Sequence, residues 1–407
     1  MKTDARPGAD AGTSSDAFSA LAAGFLGWTL DAFDFFLVTL CLTAIAKEFG
    51  RTDTEVAFSL TLTLAFRPVG AFIFGMLADR YGRRLPLMID LVFYSAVEVA
   101  TGLAPNFSTF LVLRALFGIG MGGEWGVGAS LAMEKVPAKW RGLLSGLLQQ
   151  GYALGNLLSS LCYLFLFDKW GWRPLFFLGG IPALLALFVR YRVKESAVWE
   201  ETKREKWSQI GADIASHWKL FAYLVVFTAG MNFASHGTQD MYPTFLQRYW
   251  HFGTSERSLL TAFSMCGALI GGVLMGFVSD HIGRRRTIVI SLLVAVLTVP
   301  LWAFAPRIGL LFAGAFLIQF FVQGAWGVIP AHLSELSPNE IRGLLPGFSY
   351  QCGALIAGTV PTIEASIATR MSYPAAMASV ACVVFVGTAI IAGLGKERKG
   401  RHFLPEA

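Results

Sequence analysis

Twelve apolar stretches of membrane-spanning length constrain this 407-residue chain more than any other feature of its sequence. A helix that crosses the hydrocarbon core of a bilayer needs about 20 mostly apolar residues. Only 15% of the residues are charged, whereas a typical soluble domain has about 25%. Because a bilayer offers no water to backbone groups, such segments must be helical. The sequence therefore predicts an all-α integral membrane protein, with transmembrane helices near 18–46, 56–78, 85–104, 107–133, 142–167, 173–190, 219–248, 257–279, 287–305, 308–333, 344–368 and 373–394.

Lysine and arginine are distributed unevenly over the connecting segments. With the N-terminus placed inside, the inside segments hold 23 of the 33 basic residues and the outside segments hold eight. Loops on the cytoplasmic side normally carry this excess. We therefore expect a multi-pass protein of the cell membrane with both termini in the cytoplasm. The pI of 9.1 reflects this topology, and we expect no nucleic-acid partner.

A fixed offset of 201 residues relates the first six spans to the last six. GMLADRYGRR begins at Gly75 and GFVSDHIGRR at Gly276, and EWGVGASLAMEKVPAKWRG (124–142) faces AWGVIPAHLSELSPNEIRG (325–343). One register held from span 2 to span 5 predicts two homologous halves with parallel topology. The predicted division is a cytoplasmic tail at 1–17, a six-helix bundle at 18–190, a charged and partly helical cytoplasmic linker at 191–218, a second bundle at 219–395 and a tail at 396–407.

The loop motif G-x-x-x-D-R-x-G-R-R after span 2, with its counterpart after span 8, resembles the paired motif of the major facilitator superfamily. The resemblance covers the whole chain and implies two pseudo-symmetric six-helix bundles that rock against each other. It also implies a cytoplasmic gate of carboxylate–arginine pairs, formed by Asp79, Arg83, Arg84, Asp280, Arg284 and Arg285. Glu134 with Arg141, and Glu335 with Arg342, recur in both halves, and we expect them to act as further latches. The alternative is a basic topology cluster with no gating role.

A polar cluster interrupts span 7 in the stretch NFASHGTQDMYPT (232–244). Its polar residues stand at i, i+3, i+4, i+7 and i+8, which is one face of a helix: Asn232, Ser235, His236, Gln239 and Asp240. Such a face avoids lipid and must contact a partner helix or an aqueous cavity. Hydrogen bonding between helices is one explanation. A His and an Asp one turn apart also suit proton movement.

The same stretch is similar to the signature of the Jen-type lactate and carboxylate permeases of yeast, which belong with the sialate:proton symporters. This resemblance implies that span 7 recognises substrate and couples it to protons. Span 1 resembles the sialate group in GWTLDAFDFFLV, through Asp31 and Asp34. At the 201-residue offset these two aspartates face Asn232 and Ser235, so both halves place polar residues at one depth.

Two arginines lie inside spans and need a compensating partner. Arg67 lies about 18 Å from the cytoplasmic end of span 2, close to the midplane. We expect it to bind a substrate carboxylate and to pair with Asp31 or Asp34 at rest; a permanent ion pair is the alternative. Arg114 lies in span 4, where the superfamily resemblance associates an arginine with proton coupling. Gln150 and Gln351 occupy matching repeat positions and are expected to bind a hydroxyl or carboxylate of the substrate.

These features together predict a proton-coupled symporter of a small organic anion, with a monocarboxylate such as lactate or pyruvate as substrate. Sialic acid or an aromatic acid is the alternative, since Ala354 stands where the Jen-type pattern has a second polar residue. Enzyme motifs such as HExxH and G-x-S-x-G with partners are missing from the sequence. We expect no cofactor and no metal. The superfamily resemblance implies a monomer whose partners are the carboxylate, protons and the lipid bilayer.

Overall fold

The computed structural model describes residues 9–203 and 206–403. Within those residues it consists of helices and short connections and contains no strand. The α-helices are α1 Ala9–Phe49, α2 Asp53–Tyr81, α3 Arg84–Gly102, α4 Phe107–Lys135, α5 Arg141–Gln149, α6 Gly151–Trp170, α7 Trp172–Phe177, α8 Pro182–Arg192, α9 Ala197–Thr202, α10 Trp207–Ser216, α11 Trp218–Gln239, α12 Tyr242–Arg248, α13 Thr254–Ile282, α14 Arg284–Ala303, α15 Ile308–Gly327, α16 Ile329–Leu336, α17 Leu345–Ala357, α18 Val360–Ala368 and α19 Tyr373–Leu394.

These helices form twelve membrane-crossing segments, several of which are interrupted. In the described residues, nine segments are apolar and long enough to cross a membrane without a sharp bend. Span 7 joins α11 to α12 and is bent by 66° from the preceding α10. Span 5 is divided into α5 and α6, and span 11 into α17 and α18. The predicted all-α, twelve-helix fold is thereby confirmed.

The repeat seen in the sequence is also present in the helix boundaries. α2 and α13 span 53–81 and 254–282, and α4 spans 107–135 where α15 and α16 together span 308–336. Each pair is offset by the same 201 residues. The loop motif ends α2 and α13 in the same way, at Gly82 with φ 94° and Gly283 with φ 105°. Glycine is needed there because other residues rarely adopt this backbone conformation.

The two halves, α1–α8 and α11–α19, pack together at one end of the bundle. We call it the latch end; it carries the loops after α2 and α13 and is the end predicted to be cytoplasmic. Contacts between the halves involve α5 with α13 and α17 with α2 and α4. The continuations of these spans, α6 and α18, pack on helices of their own half instead. The halves therefore separate toward the opposite end.

The polar segments at the boundaries differ in part from the predicted division. Residues 9–17, expected to belong to a tail, form the first turns of α1, and Asp16 pairs with Lys194 of the linker at 3.3 Å. Residues 1–8 and 404–407 of the predicted tails lie outside the described residues. The linker contains two short helices, α9 and α10. Residues 396–403 are packed against the latch end rather than extending away from it.

Candidate substrate site and latch

Arg67 lies between aromatic rings contributed by both halves of the molecule. Its guanidinium carbon is 6.0 Å from the ring centre of Trp28 in α1 and 5.9 Å from that of Tyr350 in α17. The α2 backbone reaches this position because α4 presents Gly118 and Gly122 to it. A β-carbon at either glycine would overlap the backbone of Thr63 or of Arg67. The glycines of span 4 thus allow the close helix packing that fixes Arg67.

The guanidinium of Arg67 has an unfilled capacity for hydrogen bonding. Only 6% of the residue is exposed, and its Nε and Nη2 atoms find no hydrogen-bond partner in the part of the chain that is described. The expected resting ion pair with Asp31 or Asp34 is wrong: neither aspartate is an ion-pair partner of Arg67 among the described residues. The guanidinium is held over the two rings instead. A buried cation without a partner is costly, so the geometry favours an anionic ligand here.

Further aromatic rings extend this environment into a wall. The Trp28 ring stacks on Tyr152 at 5.3 Å, and Trp125 lies 4.4 Å from Tyr350 across the boundary between the halves. Trp326 contacts Tyr350 at 5.6 Å. Sequence analysis did not predict these rings as site residues. The one available signal was the match of Trp125 with Trp326 at the repeat offset.

Asp31 and Asp34 are fully buried in α1. All four carboxylate oxygens lack a hydrogen-bond partner in the described structure. Asp31 lies within electrostatic reach of Arg67. Asp34 is next to Glu98, since a β-carbon at Gly179 would contact the Glu98 side chain and would lie 2.9 Å from Asp34 Oδ1. The charge of Glu98 acts on both aspartates, whereas Arg67 acts on Asp31 and Arg114 acts on Asp34.

Arg114 is paired within the first half and has no direct contact with Arg67. Its Nη2 donates to Glu98 Oε2 and to Thr101 Oγ1 at 2.9 Å. The guanidinium also lies 4.6 Å from the ring centre of Phe117. Glu98 was not assigned a face from the sequence, although it is the direct partner of Arg114. Arg114 also acts electrostatically on Asp34, which lies beside Glu98.

Most of the polar face of span 7 is occupied by hydrogen bonds. Gln239 donates to Gln319 Oε1 at 2.9 Å, and Gln323 donates to Ser235 at 2.8 Å, so two residues of α11 hold α15. Asn232 is 3% exposed and donates to the Thr228 carbonyl of its own helix at 2.8 Å. Interhelical bonding thus accounts for Ser235 and Gln239. Gln319 and Gln323 were missed, although two glutamines one turn apart in an apolar helix are a visible signal.

His236 and Asp240 form the remaining, accessible part of that face. His236 Nδ1 lies 3.1 Å from Asp240 Oδ2, and the two side chains are 44% and 35% exposed. Glu364 of α18 is close by, because a β-carbon at Gly237 would lie 3.4 Å from Glu364 Oε1. Glu364 is 2% exposed and its oxygens find no partner among the described residues. This acidic group lies in the part of the second half that does not contact the first.

The two matched glutamines have different environments. Gln150 donates to the Gly146 carbonyl at 3.2 Å, and its amide nitrogen occupies the space beside Gly272 of the other half. Gln351 is fully buried next to Tyr350, and neither of its amide atoms has a partner among the described residues. Gln150 is therefore part of the packing between the halves, whereas the amide atoms of Gln351 have no hydrogen-bond partner among the described residues.

At the latch end, each half holds the start of a helix in the other half. Asp79 of α2 accepts hydrogen bonds from the backbone nitrogens of Gly343 and Leu344 at 2.7 and 3.0 Å. Asp280, its counterpart, accepts from Gly142 and Leu143 at 2.8 and 2.9 Å. Carboxylates are favoured at helix N-termini because they satisfy unpaired N–H groups and meet the positive end of the helix dipole. The two contacts are related by the repeat.

Buried ion pairs surround these contacts. Arg83 bonds Asp79 at 2.9 Å and Glu134 at 3.0 Å, and Arg284 bonds Asp280 at 2.6 Å and Glu335 at 3.0 Å. Burial alone lowers the pKa of Arg83, but the charges of Glu134 and Asp79 outweigh it and raise the pKa. The group as a whole, which we call the latch cluster, consists of Asp79, Arg83, Glu134, Arg141, Asp280, Arg284, Glu335 and Arg342.

Two details of the latch cluster differ from the sequence prediction. Neither glutamate pairs with the arginine seven residues after it: Arg141 instead bonds Glu335 of the other half at 3.1 Å, and Arg342 lies 3.6 Å from Glu134 of the other half. Arg84 and Arg285 lie outside the cluster. Arg84 donates to the Arg190 carbonyl at the end of α8, and Arg285 donates to the Gly395 carbonyl at 2.9 Å. They bind the last span of their own half because each starts a helix that faces it.

Comparison with known proteins identifies the family. The model of the Major Facilitator Superfamily matches residues 24–249 and 225–406. The chain belongs to this superfamily. It is 30% identical over 384 residues to a carboxylic acid transporter protein homolog of Saccharomyces cerevisiae, covering 86% of this chain and 61% of that one. It is 29% identical over 357 residues to the sialic acid transporter NanX of Escherichia coli, covering 86% of each.

The fold of this superfamily member matches solved transporters. The proton:xylose symporter XylE, solved with 6-bromo-6-deoxy-D-glucose, superposes with a TM-score of 0.77 over 96% of this chain and 98% of that one, at 20% identity. This likeness shows the fold alone. The chain spans less than two thirds of the yeast relative, 61% of its length. The chain therefore has the fold of the multi-pass membrane transporters of this superfamily.

Proposed function

We propose that this protein is a proton-coupled symporter of a small organic anion that works by alternating access, with a monocarboxylate such as lactate or pyruvate as its substrate. The observation that carries the proposal is Arg67, a buried cation without an ion-pair partner among the described residues, at the boundary between the halves. The resemblance of span 7 to the Jen-type signature favours a monocarboxylate. No second subunit is needed for this site, and a monomer suffices.

In the proposed mechanism the substrate carboxylate binds the guanidinium of Arg67. Guanidinium and carboxylate groups match in a two-point, planar hydrogen-bonded geometry, and Arg67 has two buried nitrogens free to donate. Trp28 and Tyr350 would contact the rest of the anion, and they belong to different halves. Gln351, the residue after Tyr350 in α17, would supply a buried donor and acceptor. Binding would thus connect the halves through one small molecule.

We infer proton coupling from the charge balance of the buried site. In the unloaded site, Arg67 acts electrostatically on Asp31, and a buried charge is stable only when it is compensated. When a bound anion neutralises the positive charge of Arg67, that charge no longer compensates a negative charge on Asp31. A proton on Asp31 would restore it, so loading of the anion and of the proton would be coupled. Asp34 and the His236–Asp240 pair are the other candidates for proton carriers, and the charges of Arg114 and Glu98 would both act on Asp34.

Alternating access requires the latch cluster to open while the other end closes. We propose that the latch end is the cytoplasmic end, in agreement with the basic loops. In the present arrangement Asp79 and Asp280 hold helix starts of the opposite half, and in the proposed cycle this state would admit the substrate from the outer side. Breaking these buried ion pairs is costly while they stay dry, and the cost falls when water enters and hydrates the separated charges. The latch cluster would then act as the cytoplasmic gate.

An aromatic acid or sialic acid is the second candidate. The rings of Trp28, Tyr152, Trp125 and Tyr350 around Arg67 favour a planar, unsaturated acid, since ring–ring contacts add to area burial. The relative NanX of Escherichia coli is described as a sialic acid transporter, whereas the yeast relative is described as a carboxylic acid transporter homolog. Both candidate substrates are acids, and the carboxylate of either would bind the same cation, Arg67.

Counterflow in proteoliposomes distinguishes the candidates. Vesicles loaded with unlabelled lactate, sialate or benzoate are diluted into the corresponding labelled acid, and transient accumulation identifies the substrate. We expect accumulation with lactate. Accumulation with benzoate or sialate alone would favour the second candidate substrate over a monocarboxylate such as lactate. Accumulation with none of the three would contradict the proposal.

Proton coupling and the role of Arg67 are tested with the acid identified by counterflow. An inwardly directed proton gradient should raise uptake, and a protonophore should abolish the increase. Arg67→Ala should lose uptake at least tenfold, because the anion loses its counter-charge. Arg307→Ala, at an exposed position before α15, is the matched control and should transport normally. Uptake that ignores the gradient would contradict symport, and normal uptake by Arg67→Ala would contradict the site.

A further inference from the structure

The segment that follows the last span, residues 396–403, covers the latch cluster, and we call it the tail strap. It begins beside the loop after α13, where Glu397 accepts from the backbone nitrogen of Arg285 at 2.9 Å. Lys399 then donates to the His281 carbonyl at 2.7 Å. These two hydrogen bonds hold the segment after α19 against the end of α13 and the start of α14. The strap then continues toward the boundary with the first half.

At that boundary the strap is bound by several hydrogen bonds. Arg401 donates to the carbonyls of Glu335 and Ser337 at 3.1 and 2.9 Å. Its own carbonyl accepts from Arg141 of the first half at 2.9 Å. Asn339 donates to the Phe403 carbonyl at 2.6 Å. The strap therefore contacts both halves, which distinguishes it from a surface tail that packs on one helix.

The ring of Phe403 is shared by two arginines of the latch cluster. The guanidinium carbon of Arg141 lies 4.0 Å from the ring centre, and that of Arg342 lies 3.7 Å from it. Phe403 is only 6% exposed. Arg141 belongs to the first half and Arg342 to the second, and they are counterparts in the repeat. Each guanidinium over a desolvated aromatic face is stabilised by a cation–π interaction.

We propose that the tail strap is a conformational lock that stabilises the state in which the latch end is closed. Opening of the latch end separates the halves and therefore moves Arg141 away from Arg342. One ring cannot remain over both guanidinium groups when they separate, so opening requires the loss of at least one cation–π contact. The inference rests on the proposed alternation between two states. It is independent of which anion is carried, because the strap does not contact the candidate substrate site.

Hydrogen–deuterium exchange of the purified full chain, without substrate, tests the lock. The amides of Gly142, Leu143, Gly343 and Leu344 donate to Asp280 and Asp79 only while the latch is closed, so their exchange reports opening. Phe403→Ala should raise exchange at both pairs by roughly tenfold, the size expected for one to two desolvated cation–π contacts. Lys396→Ala, at an exposed strap position, is the control.

Two comparisons separate a lock from simple packing. An increase at both amide pairs means that the halves separate, whereas an increase confined to 343–344 means local fraying and would overturn the proposal. Phe403→Leu keeps an apolar cover without an aromatic face, and it should behave like Phe403→Ala. Full protection in Phe403→Leu, or no difference between Phe403→Ala and Lys396→Ala, would also overturn it. Because no substrate is present, failure of this test leaves the transport proposal intact.

Discussion

The close approach of Gly126 in α4 and Gly347 in α17 provides a direct test of how the halves fit together. A β-carbon at residue 347 would lie 2.6 Å from the Cα atom of Gly126. Carbon atoms in contact are normally about 3.5–4.0 Å apart, so the substituted chain would be roughly 1 Å too crowded. The atom it meets belongs to the backbone of a packed helix and cannot turn away. The strain exists only while the halves are closed at the latch end.

The expected size of the effect follows from this geometry. Overpacking of a close contact typically costs about 1–3 kcal/mol, which corresponds to roughly a 5- to 150-fold change in an equilibrium constant. Gly347→Ala should therefore shift the population toward the state with an open latch end by a factor in this range. The protein should remain folded, because the opposite state separates the two glycines and relieves the strain.

Exchange of the backbone amides of Gly142, Leu143, Gly343 and Leu344 measures the shift. Gly387→Ala in α19 is the matched control, since no atom lies within 4 Å of the added carbon; it should exchange like the unmodified chain. If Gly347→Ala shows the control's exchange and an unchanged thermal midpoint, then the halves do not meet at these glycines in the membrane. The reasoning about the closed latch end would then be wrong.

Three further predictions concern single contacts. Arg114→Leu leaves Glu98 buried without its partner and should lower the free energy of unfolding by about 3–5 kcal/mol; a loss below 1 kcal/mol in denaturation would refute the pairing. Asp79→Ala and Asp280→Ala remove equivalent contacts and should raise amide exchange at 343–344 and 142–143 to a similar degree, so a response at only one site would show that the latch is not symmetric. Gln319→Leu removes the bond from Gln239 and should destabilise the fold by about 1 kcal/mol, measurable as a lower thermal midpoint in detergent.

The fold could be predicted from the sequence because its determinants are periodic. Spanning length and the 201-residue offset are properties of the chain alone, and they recur in helix bounds such as 53–81 and 254–282. Contacts across the halves could not be predicted in the same way. Glu134 and Arg141 are close in sequence, yet each pairs with a residue of the other half. Pairing of this kind depends on how the bundles dock, which no local pattern encodes.

The charged residues of the candidate site could be predicted from the sequence, whereas its aromatic residues could not. Arg67 is conspicuous because an arginine near the membrane midplane is costly. Trp28, Tyr152 and Tyr350 are not conspicuous, because aromatic residues make up 14% of the chain and occur in every span. The sequence left two explanations open for the polar residues of span 7. A helical face that avoids lipid can serve a cavity or a neighbouring helix, and only the partners Gln319 and Gln323 distinguish the two cases.

Comparison of the halves shows where symmetry is kept and where it is lost. Latch residues are repeated at the offset, as in Asp79 with Asp280 and Arg141 with Arg342. The two arginines inside the spans of the first half have no such counterparts: Arg67 matches Ala268, and Arg114 matches Ala315. Each half contributes residues to a gate between them, so the same gating contact can occur once in each half. One small anion needs one counter-charge, and a second buried arginine at the matching position would be an uncompensated charge when a single anion is bound.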